Sequence, residues 1–102
     1  MALNKDMPLY KALINYLPAF VATTPMVDAS PAKTINVRKL RVALQPERSH
    51  EAVYKWFRAG KLKPENARDL YEVSRLDENV LALNAAGRKP PTLTDFLNLT
   101  LA

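Results

Sequence analysis

Apolar residues along this chain return mainly every three or four positions, which is the spacing of one face of a helix. Leu9, Leu13, Leu17, Phe20 and Val21 keep that spacing with Tyr10 and Ile14 beside them, and Pro8 suits a first helical position, so a first helix is expected over residues 8–21. Pro18 should kink or end it near Leu17. The stretch from Ala22 to Ile35 holds Pro25 and Pro31 and has no clear period, so it reads as irregular structure packed over the core.

The pattern then sharpens. Asn36 is placed to cap a helix whose buried stripe is Val37, Leu40 and Leu44, with Ile35 and Leu40 as a hydrophobic staple. Pro46 should stop this helix at Gln45. Ser49 reads as the next cap, with Glu51 in the first turn, Ala52, Val53, Trp56 and Phe57 inward, and Gly60 as the left-handed terminator. Trp56 is expected in the core and Phe57 at the edge of the inward face. Pro64 opens a helix with Ala67, Leu70, Tyr71 and Ser74 inward, and Arg68 can pair with Glu72 four residues on. Residues 77–87 suggest a short helix capped by Asp77 and closed by Gly87. The tail has two readings. Leu93, Phe96, Leu97 and Leu101 make a helix face behind a Thr92 and Asp95 capping box, whereas Leu97, Leu99 and Leu101 alternate as in a strand; helix is preferred. The expected class is therefore all-α, four to five short helices with a tail that is helix or strand.

With 102 residues and 48% apolar content, the chain makes one domain, residues 1–102, with a modest core of its own. The absence of cysteine excludes disulfides, thiolate metal sites and cysteine nucleophiles. No apolar run reaches the length of a membrane span and no signal pattern is present, so a cytoplasmic protein without membrane contact is expected. The net charge of +5 is unevenly placed: Lys33 to Arg75 carries eleven basic and five acidic residues, and the remainder is slightly acidic. With Val53 and Trp56 inward, a helical wheel turns His50, Glu51, Tyr54, Lys55 and Arg58 outward. Catalysis is not expected. The single histidine has no carboxylate at a telling spacing, no glycine-rich phosphate loop exists, and no metal, cofactor or small-molecule site can be assembled.

The segment LRVALQPERSHEAVYKWFRAGKLKPENARDLYEV resembles the helix-turn-helix core of the phage Cro and lambda-repressor-like family. Ser49, Val53, Trp56, Gly60, Lys61 and Pro64 stand at that family's pattern positions, over about a third of the chain. Arg41 replaces a usual small residue, Gln45 a usual glycine, and the turn QPER is about two residues longer than usual. A register pairing Val42 with Ala43 restores the spacing but puts Pro46 at a buried leucine position, so the longer turn is preferred. The resemblance implies a lambda-repressor-like domain whose helix-turn-helix core and following helix occupy 36–75. It also implies a phage or prophage transcriptional regulator, a repressor that blocks polymerase, with the helix over 49–59 in the major groove of double-stranded DNA. On the outward face, His50, Glu51 and Lys55 are the expected base readers. Phosphate contacts are expected from Asn36 and Ser49, which match family positions, and from Arg38, Tyr54, Arg58 and Lys61 by geometry. Family habit and the apolar tail suggest a homodimer, with 76–102 as packing or dimerisation segment. Two other readings remain: an antitoxin-type regulator that binds a toxin and DNA, and a protein-interaction module whose basic face meets an acidic partner.

Overall fold

Pro8 opens α1 (Pro8–Tyr16), which turns Leu9, Tyr10 and Leu13 into the core. A computed structural model describes residues 8–24 and 32–100. The helix expected to reach Val21 ends five residues earlier, because Pro18 cannot continue it; the chain makes one 3-10 turn at Pro18–Phe20 instead. A larger correction follows. Val21–Thr24 (β1) and Ala32–Ile35 (β2) form an antiparallel ribbon, with Val21 opposite Ile35 and Thr24 opposite Ala32, where irregular structure was expected. Both strands are rich in β-branched residues, which favour extended backbone. The part of that irregular reading over 25–31 lies outside the described residues, as does Leu101.

The ribbon is fastened to α1 from inside: the buried Tyr10 hydroxyl accepts from the Ile35 N–H at 3.0 Å. Asn36 then caps α2 (Val37–Ala43), its side chain accepting from the Lys39 N–H, while Ile35 and Leu40 are both buried as a staple requires. Leu40 and Leu44 are inside and Val42 is half exposed. α3 (His50–Ala59) and α4 (Pro64–Ser74) follow. In α4, Val73 joins Ala67, Leu70 and Ser74 inside, and Tyr71 is only partly buried. Arg68 and Glu72 do not pair among the described residues.

α5 (Asp77–Ala85) begins one residue earlier than expected. Leu76 holds the cap position without a side-chain bond, and Asp77 stands in the first turn, where a carboxylate suits the helix dipole. Gly87 closes it with φ 70. The tail takes its helical alternative as α6 (Leu93–Leu97), with the capping box of Thr92 and Asp95 complete, followed by a 3-10 turn at Asn98–Thr100. The described residues thus hold six α-helices and a small ribbon, more than an all-α set of four or five helices. None of these helices is long and apolar enough to cross a membrane.

α6 lies on α4 and puts Phe96 wholly inside, edge-on to Tyr16 at 5.2 Å and to Tyr71 at 6.3 Å. Asn79, fully buried on α5, joins the ends of two other helices and the 3-10 turn. Its Nδ2 donates to the Tyr16 and Ser74 carbonyls, each at 3.0 Å, and its Oδ1 accepts from the Ala19 N–H at 3.2 Å. The ends of α1 and α4 thereby find partners for carbonyls that no further helical turn serves.

Two outcomes follow. Asn79→Ala leaves three backbone groups without their partner, one buried and two partly so, and should lower stability by about 2 kcal/mol, read by urea denaturation. Burial raises the pKa of the Tyr16 phenol above its ordinary 10.0, and the Asp95 carboxylate adds to the shift. The neutral phenol is the form the fold favours, so its contribution is complete below the ordinary value and is lost as pH rises through the folded one. Tyr16→Phe should therefore remove part of the fall in urea midpoint between about pH 9 and about pH 11.

Candidate nucleic-acid interface

α3 is fixed at both ends and along one side. The Ser49 hydroxyl oxygen accepts from the Ala52 N–H at 3.1 Å, and Gly60 terminates the helix at φ 76 with its N–H on the Trp56 carbonyl. Val53, Trp56 and Phe57 are buried. Phe57 was expected at the edge of this face; it is 1% exposed, edge-on to Tyr10 at 5.1 Å and to Tyr54 at 6.4 Å. The opposite side carries His50, Glu51, Lys55 and Arg58, all exposed. Tyr54 is half-buried against the core, and its ring stacks with His50 at 6.3 Å and 22°. His50, Glu51 and Lys55, the residues expected to read bases, therefore share one solvent face of one helix, with Tyr54 and Arg58 on the same element.

The remaining predicted residues lie outside the body of α3, with Ser49 at its cap. Asn36 and Arg38 are exposed at the start of α2; the Asn36 oxygen is engaged as a cap, and its amide N–H groups have no partner among the described residues. Lys61 follows Gly60. Together with Lys55, Lys63 and Trp56 it lines a cleft of about 320 Å³ between α3 and the start of α4, where Ala52, Ala59 and Leu62 supply apolar wall. Lys63 stands outside the set expected from the sequence to contact phosphate. Its signal was the alternation of Lys61 and Lys63 around Leu62, which is buried and turns both ammonium groups outward.

Cations in the basic segment divide into two uses. Lys39 pairs with Glu78 at 3.0 Å, donates to the Ala19 carbonyl at 2.9 Å and sits 5.1 Å above the Phe20 ring. Arg41 pairs with Glu47 at 2.7 Å and donates to the Arg48 carbonyl at 3.2 Å. Arg48 bridges to Asp69 and reaches Asn66 at 3.3 Å, tying the turn between α2 and α3 to α4. No carboxylate pairs with Arg38, Lys55, Arg58, Lys61, Lys63 or Arg68 among the described residues, and these six are exposed. Their charge faces water and any anion that approaches. Neither the family models, nor the curated proteins, nor the solved structures compared with this chain give a match.

The two ends of α3 should be separable from its outward face. Ser49→Ala removes the cap bond, and Gly60→Ala forces a side chain into left-handed backbone. Each should lower stability by about 1 kcal/mol in urea denaturation, while Lys55→Ala, on an exposed position, should leave the midpoint within about 0.5 kcal/mol of native.

Proposed function

We propose that this chain is a sequence-specific, double-stranded DNA-binding transcriptional regulator of Cro or repressor type, working in the cytoplasm as a homodimer without catalysis or cofactor. The observation that supports this reading is α3: capped at both ends, held by three buried side chains, and bare of ion-pair partners on its exposed face among the described residues. A rigid helix with that face can enter a major groove by its N-terminal half. His50, Glu51 and Lys55 then meet base edges. Lys55 donates to guanine, Glu51 accepts from cytosine N4, and the imidazole of His50 serves either purpose.

Asn36, Arg38, Ser49, Tyr54, Arg58 and Lys61 take phosphate oxygens, which set register and affinity without reading sequence. The Ser49 hydroxyl can donate to phosphate while its oxygen keeps the cap bond. Lys63 adds to the field at the same end of the helix. Two copies seated on an operator would occlude polymerase.

Fluorescence anisotropy with random duplex DNA across a salt series tests this. Native protein should bind with an affinity that falls steeply as salt rises, and Lys55→Ala with Arg58→Ala should flatten the slope of log K against log salt by about one to two. Folded protein that fails to bind at low salt would overturn the reading and leave the basic face to an acidic protein partner.

A further inference from the structure

The cleft of about 320 Å³ between α3 and the start of α4 has apolar walls and charged side chains around them. Trp56 and Leu62, both buried, line it. Ala52 and Ala59 stand four and three positions from Trp56 on the same side of α3, and their methyl groups leave the space beside the indole open. The volume is at the small end of the range for ligand sites, which suits a single ring with a short substituent.

Lys55, Lys61 and Lys63 stand around this space, all exposed, and none has a carboxylate partner among the described residues. Glu65 is the one carboxylate on the lining, so two of the three positive charges there are uncompensated. Like charges gathered around one opening repel one another, and an anion seated among them relieves that repulsion. Asn66 adds to the donors: its oxygen takes Arg48, which leaves its amide N–H groups for another acceptor.

We infer that this cleft binds a small aromatic carboxylate. The ring lies among Trp56, Leu62 and the two alanines, and the carboxylate is held by the Lys61 and Lys63 ammonium groups. A cation would meet the surplus of like charge, and a neutral ring would leave that surplus unrelieved. Lys55 and Lys61 also belong to the proposed DNA contacts, so on that reading an occupied cleft competes with duplex for both. Binding in the cleft does not itself depend on that reading.

An NMR titration of the isotope-labelled chain with cinnamate, without DNA, is the test. The dissociation constant should be about 1 mM or tighter, with shifts centred on the Trp56 indole N–H and the amides of residues 59–63. Cinnamamide has the same shape without the charge and should bind about tenfold more weakly. Lys61→Gln with Lys63→Gln should weaken cinnamate about tenfold and leave cinnamamide unchanged. Ala59→Leu, at an exposed position, should abolish binding by filling the space, with the rest of the spectrum showing a folded domain. No saturable shift at these groups by about 10 mM cinnamate, equal affinity for the amide, or undiminished binding in either variant would overturn the inference. Because DNA is left out, failure here is distinct from failure to bind duplex.

Discussion

Two of the elements that support α3, α1 and α4, meet at one buried amide, Asn79 on α5. Helix ends leave carbonyls that a globular protein must serve with side chains or water, because an unserved buried carbonyl costs on the order of a hydrogen bond's full desolvation. In this fold two such ends, those of α1 and α4, and the 3-10 turn between α1 and the ribbon all meet at Asn79. An asparagine is the side chain that answers all of them, since it offers two N–H donors and an acceptor from one planar group. Leucine of similar size would fill the space and leave every one of these groups unpaired.

From that junction the support runs toward the proposed interface in two arms. One goes through α1 and Tyr10, whose ring meets Phe57 on α3 and whose hydroxyl holds β2. The other goes through α4, where Asp69 receives Arg48 from the turn that leads into α3. Arginine in this role is unsurprising. Its planar fork can donate to Asn66 and Asp69 at once, which a lysine does less well. Positive charge in the middle of the chain therefore does two unlike things: Lys39, Arg41 and Arg48 brace the structure, while the exposed cations on and after α3 remain available to an anion.

What the sequence made legible was mostly local. Asn36, Ser49, Gly60 and the Thr92 and Asp95 pair act on backbone groups three or four residues away, and Pro64 on its own first turn, so their roles are written beside them. The outward set on α3 was legible for the same reason, as a consequence of Val53 and Trp56 pointing in. Asn79 was not: a polar residue inside a helical segment reads as solvated, and its partners stand up to 63 positions away. Nothing beside Lys39 in the sequence separates it from its neighbour Arg38; its partner Glu78 stands 39 residues on. The ribbon escaped because four-residue strands give too short an alternation to be told from loop, and Phe57 because a wheel cannot show that Tyr10 will cover its edge.

The reach of the Asn79 contacts also orders events in time. Its partners at Tyr16 and Ala19 precede it by 63 and 60 positions, and Arg88 reaches back 73 to Asn15. On a ribosome the chain emerges from its N-terminus, so α2 and α3 are complete before the residue that closes α1 against α4 has been added. Until α5 emerges, α1 can shelter part of its apolar face against the ribbon and α3, but its last carbonyls must stay with water. These three bonds close the chain over 60 to 73 positions, so none can form until most of the domain has been made.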